Sequence, residues 1–348
     1  MSQGRVLSDF DYSLPPGRIA QEPLRDRDAS RLLVLERSRG RRSHHGFREL
    51  PELLEPGDLI VVNRSRVFPA RLLGRKVASG GRAEVLLVRR LEDGSWEALV
   101  WPGRRLRPGH EVRISPELRV RIESESRGEK GLRLVRLLGD ADDDTLVARH
   151  GHMPLPPYIE RADRPEDRER YQTIYALETG SVAAPTAGLH FTKGLLDRLD
   201  ARGIERAEVV LHVGPGTFLP VKVDEVERHR VPAEPYEVPE ATAEAIRRTR
   251  DRNGRVIAVG TTTVRVLEAA AREGGEIAAS RGETDLVIVP GFQFRVVDAL
   301  VTNFHLPRSS LLLLVSAFAG REAVLAAYAE AIQQEYRFYS YGDAMLIL

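Results

Sequence analysis

The stretch "RVIAVGTTTVRVLEAA" (residues 255–270) runs without interruption through apolar residues into Gly260, and three threonines then open an amphipathic pattern. This reads as a buried strand followed at once by a helix. In open α/β sheets ligands bind at the carboxyl ends of strands, where a helix N-terminus presents free amide donors. Thr261, Thr262 and Thr263 are therefore expected to cap the helix, or to offer hydroxyls to a ribose or a carboxylate.

The same texture surrounds this unit. "DLIVVN" (58–63) reads as a buried strand, and from 190 onward helices and strands alternate. Helices are expected at 193–202, 240–254, 261–274 and within 308–335, with strands at 206–213, 255–260 and "TDLVIV" (284–289). Strands that alternate with helices of this length imply a layered α/β sheet. Between about 66 and 140 the pattern changes. Short runs such as "AEVLLVRR", "WEALVW" and "LRVRIES" are separated by turn signals, with no helical period between them. Five or six such strands suggest a small antiparallel barrel, and "DADDD" (140–144) reads as a polar hinge that closes it. The expected fold is a layered α/β main domain, residues 1–63 and 151–348, with a small antiparallel β-barrel inserted as residues 64–150. A chain of 348 residues exceeds the roughly 250–300 at which single cores split, which also favours two domains.

Composition narrows the function. There is no cysteine, so disulfides and thiolate metal sites are excluded and a reducing compartment fits. The N-terminus lacks an apolar secretion core, and the longest apolar run, "LLLLVSAFAG" (311–320), is far shorter than a membrane span of ~20 residues. A soluble cytoplasmic protein, monomeric and free of membrane, is the expectation. The net charge of +1 does not itself attract nucleic acid. Only Lys76, Lys130, Lys193 and Lys222 are lysine among 52 basic residues, a bias that a GC-rich genome explains.

Three further segments resemble ligand loops. "LHVGPGTFLPV" (211–221) is a strand ending in glycines, where Gly214 and Gly216 permit close backbone approach, Thr217 offers a hydroxyl and Phe218 a stacking face. It lacks the Gly-Lys-Ser/Thr of a phosphate loop and the Gly-x-Gly-x-x-Gly of a dinucleotide site. "VTNFHLPRSSLLLL" (301–314) places Asn303 and His305 after a strand, with Ser309 and Ser310 at a helix start. "SVAAPTAGLHFT" (181–192) has no charge in twelve positions, in a chain whose residues are 30% charged, and carries Thr186, Gly188 and His190. His190, His212 and His305 thus all fall at strand ends, which raises the expectation of a shared cleft. His150 and His152 lack further residues at metal-ligand spacing, so no metal is expected.

Together, "DFDYSLPPGRIAQEP" (9–23), "HMPLPPYI" (152–159), "RYQTIYA" (170–176), "SVAAPTAGLHFT", "LHVGPGTFLPV", "AVGTTTVRVLE" (258–268) and "VTNFHLPRSSLLLL" closely resemble the S-adenosylmethionine:tRNA ribosyltransferase-isomerase family of queuosine biosynthesis. The resemblance spans essentially the whole chain in order. It departs at Arg64 and Ser65, where the family usually has Asp and Thr, at Pro215 in place of Ala, and at Pro232 in place of His. The resemblance implies that the ribosyl part of S-adenosylmethionine passes to the aminomethyl group of a deazaguanine in the tRNA anticodon. Adenine and methionine leave, and the ribose isomerises to give epoxyqueuosine. S-adenosylmethionine is a co-substrate, and no other cofactor is expected.

Such chemistry asks for a base near neutral pKa to take the proton beside the sulfonium and an acid for the departing adenine. Histidine suits either task. His190, His212 and His305 are the candidates, with Asp285 or Glu237 open for either role. Thr186, Gly188, Gly214, Gly216, Thr217, Phe218, Gly260, Thr261, Thr262, Thr263, Arg265, Asp285 and Asn303 are expected to hold substrate. Arg64, Arg66 and Arg71, where the chain enters the barrel, are expected to meet tRNA phosphates. Two other functions stay open: a scaffold whose barrel holds RNA through arginines such as Arg71, Arg75, Arg104 and Arg105, and an RNA methyltransferase.

Overall fold

A computed structural model describes residues 5–125, 131–218 and 221–348, with Thr217 and Phe218 described by their backbone alone. The main body is a nine-stranded mixed sheet. Its strands are β1 (Arg31–Glu36), β2 (Arg41–Gly46), β3 (Leu59–Asn63), β12 (Glu205–Leu211), β13 (Glu234–Val238), β14 (Val256–Val259), β15 (Ser280–Thr284), β16 (Ala299–Asn303) and β17 (Ala344–Ile347). Between them in the chain lie β4 (Ser65–Val67), the barrel strands β5 (Arg71–Lys76), β6 (Arg82–Arg90), β7 (Trp96–Trp101), β8 (Glu111–Arg113), β9 (Arg119–Glu125) and β10 (Arg133–Leu138), and then β11 (Glu178–Ser181).

The sheet order is β15-β13-β12-β3-β14-β16-β17-β1-β2. At its centre β12, β3, β14 and β16 run parallel, so their carboxyl ends share one edge. β3 and β14 are buried along their whole length, as continuous apolar strands covered on both faces must be. One face packs Ala245 and Ile246, Val264 to Leu267, and Leu312 to Val315; the other packs Leu50, Leu195, Leu196 and Leu199. After β3 the chain visits β12 on one side and then crosses back to β14 on the other. The topological switch, and hence the crevice, lies at the ends of β3 and β14.

The barrel closes in the order β10-β7-β6-β5-β8-β9, with its own apolar core. Antiparallel strands with inward residues such as Leu72, Val85 and Val120 fully buried account for the alternating sequence texture. β4 and β11 pair in parallel and tie together the outgoing and returning chains.

Three local expectations are corrected. "TDLVIV" is not a strand. Pairing falls on the preceding polar segment, β15, because the carbonyls of Thr284 and Leu286 are taken by the Arg265 guanidinium instead of a neighbouring strand. "DADDD" is the start of a helix (Asp143–His150) capped by Asp142, whose carboxylate accepts from the Thr145 amide. The helix Thr261–Ala270 has Gly260 at its N-cap and no side-chain cap; Thr263 instead donates to the Val259 carbonyl within the same turn. By contrast, Ser309 caps the helix Ser310–Ala319 as expected, accepting from the Leu312 amide. That helix breaks at Gly320, so among the described residues no single helix is long and apolar enough to cross a membrane.

Candidate active site

The parallel edge is built by residues that replace missing backbone partners. Asn63, the last residue of β3, accepts from the amides of Ser65 and Leu211 and donates to the Leu211 carbonyl, sealing the point where the chain leaves the sheet. Gly260 follows β14 with φ 89°, a conformation that disfavours any side chain, and so turns the strand straight into the helix. Beside these ends lies a small cavity of about 90 Å³. Thr186, Gly260, Thr261, Thr262, Asn303 and His305 line it. Tyr158, Tyr171, Phe304 and Tyr339 supply its aromatic walls, and among the described residues no charged side chain lines it.

Asn303 fixes the polar geometry. Its Nδ2 donates to the Tyr339 carbonyl at 3.1 Å, an acceptor only, so its orientation is set. The same amide lies 3.2 Å from His190 Nε2, which must then accept. His190 Nδ1 therefore carries the proton and donates to Ser30 Oγ at 2.7 Å. Asn303 Oδ1 and Tyr339 Oη are left buried with no hydrogen-bond partner, although each residue borders the cavity. Native proteins rarely leave such groups unpaired, since each costs about 1–3 kcal/mol. Tyr339 also holds φ 73°, an outlier for a bulky residue.

His305 Nε2 lies 2.8 Å from Thr302 Oγ1. Its backbone is clamped by Tyr328, which accepts from the amide at 3.0 Å, and by the Tyr12 hydroxyl, which donates to the carbonyl. Burial lowers both His190 and His305 from 6.5 to about 3; for His190 the Arg27 and Arg337 charges act in the same direction. The expected near-neutral base is thus not what these two rings provide: both are neutral, and neither serves as an acid at neutral pH. A histidine whose folded pKa lies below its unfolded one contributes stability above about 6.5, and that contribution fades as pH falls toward 3. Near pH 5 these two rings make the unfolded chain bind about two more protons than the folded one. Unfolding midpoints measured from pH 7 to 5 should fall accordingly, and His190→Gln should remove about one proton of that slope.

His212 stands apart from the other two. It faces a larger cleft of about 1200 Å³ between the barrel and the sheet, with Arg66, Gly214 and Glu234. Burial lowers its pKa, while Glu178 and Glu237 pull it upward, and its Nδ1 is unpartnered. Gly180 makes room for this ring, because a Cβ there would sit 2.6 Å from Nδ1. His212 and Gly214 border the cleft while Val213 between them lines the smaller cavity, so a single stretch of chain separates the two spaces. Arg265 does not reach the cavity. It forms a buried ion pair with Glu234, whose other oxygen accepts from the Gly214 amide at 2.7 Å.

The other expected residues scatter. Gly188 packs where a Cβ would meet Tyr175 Oη at 2.1 Å, and Gly216 backs onto Pro232 at 3.0 Å. Asp285 is exposed and Thr263 points into its helix. Glu237 sits on β13, paired with Arg281. The side chains of Thr217 and Phe218 lie outside the described ones. Arg64 is held between Glu178 and Glu208, and Arg71 is bidentate to Glu84 at 2.8 and 2.9 Å. Of the three arginines only Arg66 is exposed without an acidic partner among the described residues. Tyr158, Tyr171, Thr302, Glu234 and Tyr339 were not anticipated; the tyrosine-rich "RFYSYGD" (337–343) before the last strand is the signal that marks one of them.

Comparison with known proteins covers nearly the whole chain. Residues 7–347 match the family described as queuosine biosynthesis protein. A Thermotoga maritima protein named S-adenosylmethionine:tRNA ribosyltransferase-isomerase is 54% identical over 344 residues, covering 98% of this chain and 99% of its own. A Heliobacterium modesticaldum protein of the same name is 54% identical over 340 residues, covering 97% and 98%. A crystal structure of S-adenosylmethionine tRNA ribosyltransferase from Thermotoga maritima superposes with a TM-score of 0.56 at 44% identity, over 97% of this chain and 99% of that one.

Proposed function

The chain belongs to the queuosine biosynthesis protein family, whose relatives are enzymes named tRNA ribosyltransferase-isomerases, and from that premise we propose how its two spaces divide the reaction. The enzyme moves the ribosyl part of S-adenosylmethionine onto the aminomethyl-deazaguanine of a tRNA anticodon and isomerises it, releasing adenine and methionine. The observation that carries this reading is the pair of buried groups without a partner among the described residues, Asn303 Oδ1 and Tyr339 Oη, on two residues that line a cavity with His305. They supply an acceptor and a hydroxyl suited to a ribose.

The cavity of about 90 Å³ is smaller than the ~300 Å³ at which ligand pockets begin, so it takes one part of the co-substrate. The remainder passes Val213 into the cleft, where the tRNA base enters. Aromatic walls without a carboxylate suit a sulfonium, which they hold by cation–π attraction without offering a nucleophile. His305, neutral and held by Thr302, is the ring we assign to accept the proton beside the sulfonium, and burial makes it a weaker base than a free imidazole. His212, the least enclosed of the three rings, borders the cleft with Glu178 and Glu237 favouring its charged form against burial, and we assign it the proton donated to the departing adenine. His190 touches neither space and positions Asn303.

Tyr339→Phe removes one unpaired hydroxyl and little packing. Calorimetry should show affinity for S-adenosylmethionine falling about 2–10-fold, the worth of one hydrogen bond, with the unfolding midpoint unchanged or raised. Unchanged affinity would move the ribose elsewhere. For RNA, Arg66→Ala should reduce the log–log salt slope of tRNA binding by roughly one unit, whereas Arg64→Ala and Arg71→Ala should leave it near wild type because their charges are already paired. Equal slopes in all three variants would remove Arg66 from the interface.

A further inference from the structure

The outer face of the barrel carries a row of arginines that the site above does not use. Arg82 on β6 lies directly opposite Arg75 on β5, Arg75 opposite Arg113 on β8, and Arg113 opposite Arg119 on β9. Four arginines thus occupy neighbouring positions on four adjacent strands, their backbones spanning about 15 Å at ~4.8 Å per interval. All four are exposed. Among the described residues only Arg119 has an acidic partner, Glu111, which it shares with Arg121. Lys76 adjoins the row at the end of β5, and the carboxylate that lines the groove, Glu84, is engaged by Arg71.

Like charges directly opposite one another destabilise a sheet. Elsewhere the barrel sets Arg121 opposite Glu111, Arg133 opposite Glu125 and Arg89 opposite Glu97. In its one other like-charge pair among the described residues, Arg121 opposite Arg136, each arginine has a carboxylate partner, Glu111 and Glu123 respectively. An arginine-rich chain therefore does not by itself explain three successive like-charge pairs. Gly74 even tightens the row, since a Cβ there would lie 2.3 Å from the Arg113 carbonyl, and its absence lets β5 and β8 close up beside Arg75. The open groove around the row also holds Trp101, 47% exposed, and Leu73, 39% exposed. Clustered guanidinium groups beside an exposed indole match a phosphate backbone with a stacking face.

We propose that this face of the barrel is a second tRNA-binding surface, gripping phosphates of the RNA outside the modified base; it rests on the reading of the chain as a tRNA-modifying enzyme. The test is the triple variant R75A/R82A/R113A, with tRNA binding followed between low and moderate salt. The log–log slope should become shallower by about two to three units, at ~0.7–0.9 for each phosphate no longer neutralised. KM for tRNA should rise, while kcat at saturating tRNA and affinity for S-adenosylmethionine stay at wild-type values. The unfolding midpoint should be unchanged or higher, because repulsion is relieved. The lysine triple R75K/R82K/R113K should restore the slope. Should the alanine triple fail to fold, Arg75→Ala alone, flanked by like charges on both sides, should still flatten the slope by close to one unit. A wild-type slope and KM in folded variants would overturn the proposal. Failure of the wild-type enzyme to release adenine would instead strike the proposed reaction, and the salt slope would still decide whether this surface binds RNA.

Discussion

His305→Gln lowers kcat by about 10²–10⁴-fold, the usual worth of a positioned proton acceptor, while leaving affinity for S-adenosylmethionine nearly intact. The substitution keeps most of the side-chain volume, so the packing around Phe304 and Tyr328 is preserved. It removes the imidazole that borders the cavity and whose Nε2 is held by Thr302 at 2.8 Å. His190→Gln has a smaller effect that acts through Asn303, and shows as weaker co-substrate binding. His45→Ala, on the exposed edge strand β2, serves as the control. Single-turnover rates with unfolding midpoints alongside separate these outcomes. A His305→Gln enzyme with wild-type kcat would remove this residue from the chemistry.

The second large effect is on stability. Glu234→Ala leaves the Arg265 guanidinium buried without its charge partner and takes the acceptor from the Gly214 amide. Breaking a buried ion pair from one side costs about 3–5 kcal/mol, because an uncompensated charge remains in a low-dielectric interior. Denaturant unfolding should show a loss of that order. Replacing both partners, Glu234→Leu with Arg265→Met, should recover much of it, since apolar groups of similar volume need no partner. A double variant as unstable as the single one would show that the bonds from Arg265 to the Thr284 and Leu286 carbonyls, not the pair, carry the energy.

How far the sequence spoke depended on whether the signal was local. The parallel core strands were legible because β3 and β14 are covered on both faces and read as unbroken apolar runs. The barrel was legible because its strands alternate between close turns. β17 and the hairpin β1–β2 were not, because Ala344–Ile347 acquires meaning only by inserting between β16 and β1, far away in sequence. Strand β15 was misplaced by a few residues for a related reason. Its apolar continuation looks like the better strand, but Arg265, from a helix, takes the carbonyls that a strand would have paired.

The site shows the same division. Uncharged strand-end loops pointed to Thr186, Gly260, Asn303 and His305, which do share a cavity. Nothing local distinguishes them from His190 or Gly188, which lie one layer away, because that distinction depends on which side of Asn303 the chain passes. Charge partners are equally nonlocal. Arg64 and Arg71 looked as free as Arg66 until Glu178, Glu208 and Glu84 were placed beside them.

The most direct test is product analysis. The purified protein is incubated with S-adenosylmethionine and a tRNA bearing the aminomethyl-deazaguanine, and the small molecules and digested nucleosides are separated. Adenine and methionine released in equal amounts, with epoxyqueuosine in the tRNA, is the result that the proposed function predicts. Formation of S-adenosylhomocysteine, or tight tRNA binding with no adenine released, would contradict it.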